Sequence, residues 1–376
     1  MKKRIFLLGA TGSIGTSTLE VIKKYPEHFE LVGVSANSNL KKLESIIREF
    51  KPRYAVLTKD HSFKDSDFCK VLVGEKGYEE VIFSKDIDVI VIAISGIAGL
   101  YPTIKAIESK KRVVSANKES LVAAGDLVLS YLEKYNQNII PVDSEHNAIF
   151  NLFSRIEKSF INKIILTASG GPFLRKDITE KTSIDEVLSH PTWNMGNYIT
   201  VNSATMMNKG FEVIEAHYLF KLDYDKIDVL VHPQSLVHGI VETIDGTNFM
   251  VASPNDMKFP IALALFYPEI PEKKFKTIKL DEKPLEFFKV DQKNFPLLDF
   301  CYEMGRQGGL STTVLNAVNE YFVDIFLKGK IKFSELAKTI IKTTEKFINL
   351  NKPQSHYSLD DVFTIDREVR TFCEKI

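Results

Sequence analysis

The stretch Gly9-Ala10-Thr11-Gly12-Ser13-Ile14-Gly15 follows a short apolar run over residues 4–8. Glycines at this place permit a tight turn and let backbone N–H groups approach a pyrophosphate at the start of the next helix. The spacing is G-x-x-G-x-x-G instead of G-x-G-x-x-G, so the order of strand, turn and helix supports the motif more than its spacing does. The stretch predicts a dinucleotide site, and a glycine-rich turn in an unrelated α/β fold is the alternative.

The segments around this turn alternate between short apolar strands and amphipathic helices. Strands are predicted over 4–8, 30–35, 54–57, 88–93, 112–115 and 139–142, and helices over 17–24, 40–49 and 147–156. This alternation implies right-handed crossovers and a doubly wound parallel sheet. Later segments predict strands over 163–167, 229–232 and 237–243, then helices over 205–220, 313–327 and 333–348.

A chain of 376 residues exceeds one comfortable hydrophobic core, so we expect several domains. The predicted domains are a Rossmann-like nucleotide domain (1–145), an α+β catalytic domain (146–267) with a flap at 186–196, a linker (268–290) and an all-α C-terminal domain (291–376).

Composition excludes several classes of protein. The 49 basic and 49 acidic residues balance, which argues against a broad nucleic-acid surface. Three widely spaced cysteines form neither a disulfide framework nor a paired zinc motif. No apolar run approaches the ~20 residues that span a bilayer, and the apolar run near the start is too short for a signal peptide. We therefore expect a cytoplasmic protein that binds neither membranes nor nucleic acid.

The predicted second strand ends at Asn37-Ser38-Asn39, where a site selective for NAD usually carries an acidic residue that binds the ribose 2′-hydroxyl. No carboxylate is present, so a 2′-phosphate meets no repulsion and finds amide and hydroxyl donors. The turn favours NADP, although it contains no Arg or Lys.

Carboxylates gather where a predicted strand gives way to a helix. Asp143 and Glu145 flank Ser144 at the edge where open α/β sheets bind their ligands. Two close carboxylates repel each other unless a cation or a proton intervenes, and oxygen ligands suit Mg²⁺ or Mn²⁺. A polar helix start is the alternative explanation.

A second polar group lies on the helix predicted over 205–220. Asn208, Lys209 and Glu212 can share one helix face by their spacing, and Gly210 suggests that something approaches the backbone closely. An exposed face with an ordinary ion pair is the alternative. The small-residue turn Ser169-Gly170-Gly171 adds donors able to hold an anion.

The stretch from His190 to Gly196 reads as a loop and contains Trp193, the only tryptophan. An exposed tryptophan is costly, so this side chain either packs in a core or covers a ligand as a lid.

Taken together, these motifs resemble the 1-deoxy-D-xylulose 5-phosphate reductoisomerase family of the non-mevalonate isoprenoid pathway. The resemblance covers essentially the whole chain. It rests on the segments 9–15, 116–120, 142–146, 168–173, 190–196, 202–212 and 232–235, which occur in the family's order.

The resemblance implies a homodimer that binds NADPH and Mg²⁺, Mn²⁺ or Co²⁺. The implied metal ligands are Asp143, Glu145 and Glu212, and the implied catalytic residues are Glu145, Lys118 and His190. The implied substrate contacts are Lys118, Ser144, Glu145, Ser169, His190, Trp193, Met195, Ser203, Asn208, Lys209 and Glu212. The implied cofactor contacts are Thr11, Gly12, Ser13, Ile14, Asn37, Ser38, Asn39, Asn117, Glu119 and Gly196. Ser38 departs from the family, where a basic residue is common, and this puts the 2′-phosphate contact in doubt.

The implied reaction rearranges 1-deoxy-D-xylulose 5-phosphate by retro-aldol cleavage and aldol joining, after which NADPH reduces the aldehyde to 2-C-methyl-D-erythritol 4-phosphate. One rival is a semialdehyde-type NADP dehydrogenase, which needs a nucleophilic cysteine beside a base. None of Cys69, Cys301 and Cys373 has such a setting. A non-catalytic NADP sensor is the other rival, but it has no use for three carboxylates and a phosphate cluster.

Overall fold

A computed structural model describes the whole chain except residues 60–66, 194, 273–274, 283, 353 and 355. The described chain divides into two compact units. The first unit comprises Met1–Ser120, Val128–Asp143 and Asp256–Phe275, and the second comprises Leu121–Leu127, Ser144–Asn255 and Lys276–Ile376. The finer division into four segments stays a prediction.

The strands are β1 (Lys3–Leu8), β2 (Phe29–Ala36), β3 (Tyr54–Leu57), β4 (Lys70–Val73), β5 (Val89–Ile92), β6 (Arg112–Ser115), β7 (Ile139–Pro141), β8 (Ile161–Ala168), β9 (Ile227–Val231), β10 (Val237–Thr243), β11 (Asn248–Ala252) and β12 (Phe288–Lys289). The helices are α1 (Ser13–Lys24), α2 (Leu40–Phe50), α3 (Gly74–Phe83), α4 (Leu100–Glu108), α5 (Glu119–Tyr135), α6 (Ser144–Phe153), α7 (Ile184–Leu188), α8 (Asn197–Ala204), α9 (Met207–Phe220), α10 (Lys258–Phe266), α11 (Pro296–Gln307), α12 (Ser311–Leu327), α13 (Phe333–Asn351) and α14 (Leu359–Cys373).

The first unit contains a parallel seven-stranded sheet in the order β4-β3-β2-β1-β5-β6-β7. Its central strands are apolar and buried because helices cover both faces of a parallel sheet, and β5 is buried at all four positions. The strand order reverses between β1 and β5, which is where doubly wound sheets bind nucleotides. The predicted Rossmann-like sheet is confirmed. The short, partly exposed β4 was not predicted.

Residues 256–275 belong to the first unit, although the sequence analysis placed them in the second domain and the linker. The Phe266 ring of α10 packs edge-on against Tyr25 and Phe29, with centroid separations of 4.9 and 5.0 Å. The Lys3 ammonium also donates to the Leu265 carbonyl at 3.0 Å. Burial of these aromatic side chains explains why the chain returns here, and local sequence patterns do not encode such a return.

The second unit is built on a five-stranded sheet in the order β11-β10-β8-β9-β12. Strand β8 pairs antiparallel with β10 and parallel with β9, so the sheet is mixed. The predicted α+β character of this part and the helical C-terminal part are both confirmed. Strands β11 and β12 were not predicted, because β11 is largely exposed and β12 has only two residues.

The helix predicted over 205–220 is observed as α9, which begins two residues later at Met207, and a short helix that was not predicted, α8, precedes it. Helix α8 ends at Ala204 and α9 begins at Met207, and the buried Met206 between them has a left-handed backbone with φ of 61°. Few side chains adopt this conformation, so a helical sequence pattern gives no sign of the break. The turn places the end of α8, with Ser203, next to the start of α9, with Asn208.

Candidate functional site

The glycine turn of the first unit needs its glycines for steric reasons. Gly9 has φ of 78°, and a Cβ there would collide with the Ala93 carbonyl that follows β5. A Cβ on Gly15 would collide with the Gly9 carbonyl. Ser35 at the end of β2 accepts from the Gly9 N–H through its hydroxyl (3.0 Å) and from the Ala10 N–H through its carbonyl (2.9 Å). The turn is therefore held against the end of β2, as a dinucleotide site requires.

The three residues after β2 lie exposed beside this turn: Asn37, Ser38 and Asn39. Asn39 caps α2 by accepting from the Lys42 N–H at 3.1 Å. The segment carries no carboxylate, so it offers no obstacle to a cofactor phosphate. The predicted cofactor residues Thr11, Gly12, Ser13 and Ile14 form the turn and first residues of α1, with Gly12 as its N-cap.

Asn117 and Glu119 were predicted to contact the cofactor, and their side chains also contact each other. The Asn117 amide donates to the carbonyls of Ile94 and Gly96, at 2.9 Å each, and to Glu119 at 3.1 Å. Asn117 therefore braces the loop after β5 and the start of α5, a structural role that the sequence analysis missed. The nearby Lys118 ammonium lies 2.6 Å from Asp143, and both side chains are largely buried.

The second unit holds a buried charge cluster of Glu145, Lys209, Glu212 and Asn208. The Lys209 ammonium lies 2.6 Å from Glu145 Oε1 and 2.5 Å from Glu212 Oε2. The Asn208 amide donates to Glu212 Oε1 at 2.5 Å. The spacing argument is confirmed here, because all three residues of α9 meet on one face.

The energetics of this cluster favour a cation between its carboxylates. Burial alone would lower the pKa of Lys209, but the charges of Glu145 and Glu212 outweigh burial and raise it above its ordinary value. Lys209 and Glu212 are 4% and 1% exposed, so solvent compensates neither the ammonium charge nor the carboxylate charge of this pair. The carboxylates of Glu212 and Glu145, whose side chains are 1% and 16% exposed, are oxygen donors of the kind that suits a hard divalent cation.

His146 and Glu215 lie beneath this cluster and were not singled out from the sequence. His146 Nε2 lies 2.9 Å from the Glu212 carbonyl oxygen, and His146 Nδ1 lies 3.4 Å from Glu215 Oε2. Both side chains are buried. A second acidic residue one helical turn after Glu212, inside an otherwise apolar helix, was the available signal. The pair fixes the backbone of α9 at Glu212.

Ser169 and His190 meet in the second unit, as an anion site would require. His190 Nδ1 accepts from the backbone N–H of Trp193 (3.0 Å) and of Thr192 (3.3 Å), so the ring proton lies on Nε2. Nε2 then donates to the Ser169 hydroxyl at 2.9 Å, which also accepts from the Gly171 N–H at 3.1 Å. With two donors on its oxygen, the Ser169 hydroxyl has its own hydrogen available for an anion.

Ser169 borders a cavity of about 560 Å³ whose lining also includes Gly171, Lys176, Ser189 and Pro191. Gly171 has φ of 63°, and a Cβ there would lie 3.2 Å from the Ser203 carbonyl oxygen. The close approach of two backbones brings Ser203 to the same turn as Ser169. The structure therefore gathers the predicted phosphate residues into two neighbouring groups on the second unit, one at this turn and one on α9.

Burial lowers the pKa of His190 to about 4. Because this value lies below the ordinary 6.5, the unfolded chain takes up a proton first as the pH falls. The stabilising contribution of neutral His190 is complete above the ordinary pKa and is lost as the pH falls toward about 4. We expect the melting temperature of His190→Gln to rise relative to that of the wild type as the pH is lowered from about 7 to about 5, because only the wild type loses this contribution. A difference that stays constant over this range in thermal denaturation would contradict the assignment.

The structure decides only in part whether Trp193 of the flap packs in a core or covers a ligand. Trp193 is half-buried, and its ring centroid lies 6.1 Å from that of His238. Met195 is half-buried, Gly196 forms the N-cap of α8, and Asn194 lies outside the described residues. Trp193 is thus not a fully buried core residue, and its action as a lid stays a prediction.

Gly210 has a close neighbour, as predicted, but the neighbour is protein. A Cβ at Gly210 would collide with the Cys301 thiol of α11. Cys301 Sγ also contacts Met207 Sδ at 3.4 Å. The glycine therefore lets α11 pack against the helix that carries Lys209 and Glu212.

Family models match most of the chain. A model described as 1-deoxy-D-xylulose 5-phosphate reductoisomerase matches residues 5–125, and its C-terminal domain model matches residues 139–220. A model described as DXP reductoisomerase C-terminal domain matches residues 252–372.

Relatives and solved structures point the same way. Proteins named 1-deoxy-D-xylulose 5-phosphate reductoisomerase are 45% identical in Clostridium botulinum (99% of each chain) and 46% identical in Clostridium acetobutylicum (93% of this chain, 94% of the relative). A crystal structure of DOX-P reductoisomerase with NADPH, fosmidomycin and magnesium superimposes with a TM-score of 0.90 at 36% identity, covering 99% of this chain and 98% of that one. The Zymomonas mobilis enzyme in complex with NADPH has a TM-score of 0.90 at 35% identity, covering 100% and 99%.

Proposed function

The chain belongs to the 1-deoxy-D-xylulose 5-phosphate reductoisomerase family, and from this premise we propose which of its residues perform the reaction. It is an enzyme that uses NADPH and a divalent metal ion, Mg²⁺ included, to convert 1-deoxy-D-xylulose 5-phosphate to 2-C-methyl-D-erythritol 4-phosphate. The observation that carries the site assignment is the buried cluster in which Lys209 contacts both Glu145 and Glu212.

The proposed metal ligands are Asp143, Glu145 and Glu212. Support comes from the donor chemistry, since Glu145 and Glu212 already share a cation, the Lys209 ammonium, and Glu212 is buried. When bound, the metal ion supplies Lewis acidity toward the ketone and a neighbouring hydroxyl and orients them. Mg²⁺ suits these oxygen donors, and Mn²⁺ and Co²⁺ are proposed as substitutes.

The proposed phosphate contacts are Ser169, His190, Ser203, Asn208 and Lys209. Ser169 offers a hydroxyl hydrogen, and neutral His190 fixes its direction. Binding energy from the phosphate, which does not react, positions the rest of the substrate and keeps the cleaved fragments in place.

The remaining substrate contacts are proposed at the reacting carbons and on the flap. Lys118, Ser144 and Glu145 would meet the sugar backbone, while Trp193 and Met195 would close over it and exclude water. The proposed rearrangement is retro-aldol cleavage followed by aldol joining. Lys118, Glu145 and His190 are proposed as the catalytic residues that hold or move protons during it.

The glycine turn and the segment after β2 are proposed to bind NADPH through Thr11, Gly12, Ser13, Ile14, Asn37, Ser38 and Asn39, with further contacts from Asn117, Glu119 and Gly196. NADPH supplies the hydride that reduces the aldehyde. The steric need for glycine at Gly9 and Gly15 supports a close backbone approach to the pyrophosphate.

Calorimetric titration of Mn²⁺ into the protein tests the metal site directly. We expect one strong site per chain, because carboxylate oxygens are the ligands that such a cation prefers. If Mn²⁺ binds Glu145→Gln and Glu212→Gln as strongly as it binds the wild type, these residues are not metal ligands.

The semialdehyde-type dehydrogenase gains no support. Cys69, Cys301 and Cys373 are all buried in the structure, and burial raises the pKa of Cys301 and of Cys373. A nucleophilic cysteine needs the opposite setting, an accessible thiol with a lowered pKa.

A homodimer is proposed as the assembly. Support comes from the exposed apolar side chains of β11, an edge strand: Phe249 and Met250 are 44% and 47% exposed, and Ile244 beside it is 67% exposed. Sedimentation equilibrium giving the mass of one chain at micromolar concentration would contradict the proposal.

A cytoplasmic location is proposed on the ground that Cys69, Cys301 and Cys373 lie far apart in the sequence and lack the spacing of a disulfide framework. Among the described helices, none combines the length and apolar character that crossing a membrane requires. Recovery of the protein from a secreted fraction would contradict this location.

A further inference from the structure

Lys42 links the segment after β2 to the glycine turn. It lies in the first turn of α2, and its ammonium donates to the Thr16 hydroxyl at 2.7 Å and to the Thr11 carbonyl at 3.0 Å. Its backbone N–H is held by the Asn39 side chain. The side chain therefore crosses the space between the two segments that border the adenosine half of a dinucleotide in this fold.

The charge of Lys42 is not neutralised by a carboxylate. Within the described residues, no carboxylate lies at ion-pair distance from its ammonium, and both of its acceptors are neutral oxygens. Two other lysines of this unit are paired, Lys23 with Glu49 and Lys258 with Glu20, whereas the ammonium groups of Lys3 and Lys111 donate to carbonyl oxygens. The segment 36–39 also lacks a carboxylate. A half-buried positive charge thus lies in a place without negative neighbours.

We propose that Lys42 supplies the positive charge that recognises the 2′-phosphate of NADPH in this chain. The inference rests on NADPH being the cofactor. It explains how the site can hold the 2′-phosphate although Ser38 occupies the position where the family commonly has a basic residue. A 2′-phosphate brings about 1.5 to 2 negative charges, and a lysine ammonium binds phosphate as a point charge. Lys42 is then the specificity-determining residue, and Ser38 and Asn39 contribute uncharged donors.

A purely structural role for Lys42 makes a different prediction. If Lys42 only ties α2 to the glycine turn, its loss disturbs the adenosine site for every dinucleotide alike. If Lys42 binds the phosphate, its loss weakens the binding of NADPH but not that of NADH, which has a hydroxyl at the 2′ position. The ratio of the two affinities therefore separates the two roles.

The experiment measures dissociation constants of NADPH and NADH by nucleotide fluorescence, without substrate or metal, in wild type, Lys42→Met, Lys42→Arg and Lys41→Met. Lys41 is the matched control because it is the exposed neighbour on the same helix. We expect Lys42→Met to weaken NADPH about tenfold or more while NADH binding stays within about twofold, since one charged hydrogen bond accounts for such a factor. Lys42→Arg should retain most of the preference, and Lys41→Met all of it.

The expected loss should also shrink as salt is added, because screening weakens a contact between charges. Equal weakening of NADPH and NADH in Lys42→Met, or no weakening of either, would overturn the proposal. A wild type without preference for NADPH would overturn it as well. These titrations need no turnover, so their result can be interpreted even if the protein does not catalyse the reaction proposed above.

Discussion

Glu212→Gln is expected to lower kcat/KM for 1-deoxy-D-xylulose 5-phosphate by about 10²- to 10³-fold while NADPH still binds normally. The change removes one negative charge from the proposed metal site, and loss of one such preorganised electrostatic contact has an effect of this order. Glutamine has nearly the same shape, its one oxygen can still accept from Lys209, and its NH2 group can donate to the Asn208 amide oxygen once that amide turns over, so the fold should survive. Saturating Mn²⁺ should restore only part of the activity.

The matched control for this prediction is Glu180→Gln. Glu180 also belongs to the second unit, but its side chain is 81% exposed and pairs with Lys332 on the surface. It should keep wild-type kinetics, because exposed pairs contribute little. If Glu212→Gln turns over substrate at the wild-type rate in saturating metal, Glu212 is not a metal ligand.

Lys209→Met is expected to produce the largest change in stability. In chelator, the variant leaves Glu145 and Glu212 without their shared cation, and breaking such a buried pair costs about 3 kcal/mol or more. A divalent ion should replace the missing ammonium charge. Mn²⁺ should therefore raise the melting temperature of Lys209→Met by more than that of the wild type, although substrate turnover remains poor because the phosphate has lost its contact.

Thermal denaturation with chelator and with Mn²⁺ checks this expectation, with Lys328→Met as the control. Lys328 is 56% exposed and pairs with Asp324 one helical turn away, so its loss should change little in either condition. An equal gain from Mn²⁺ in wild type and Lys209→Met would mean that the metal does not bind where Lys209 now lies. That result would contradict the shared site.

The parts of the site that the sequence predicted depend on local geometry. Gly15 is required by its contact with the Gly9 carbonyl within one turn, and the meeting of Lys209 with Glu212 follows from helical spacing. A repeating period fixes such neighbours before any tertiary contact forms. For the same reason, six of the seven strands of the parallel sheet were predicted with nearly the observed bounds, β4 being the exception.

What the sequence could not predict depends on distant partners. The neighbour of Gly210 is Cys301, and the carboxylate beside His146 Nδ1 is that of Glu215. Neither pairing follows a period, because the residues lie on separate helices brought together by packing. The left-handed backbone at Met206 could not be predicted for a similar reason. The surrounding core stabilises a conformation that the residue itself disfavours.

The most direct test of the account is the absorbance of NADPH when the purified protein is mixed with 1-deoxy-D-xylulose 5-phosphate, first with Mg²⁺ or Mn²⁺ and then with excess chelator. The account predicts loss of absorbance that depends on the metal, with 2-C-methyl-D-erythritol 4-phosphate as the product. Bound NADPH with no oxidation under any metal would contradict the assignment of the carboxylate cluster as the reaction centre, and oxidation unaffected by chelator would contradict the role of the metal.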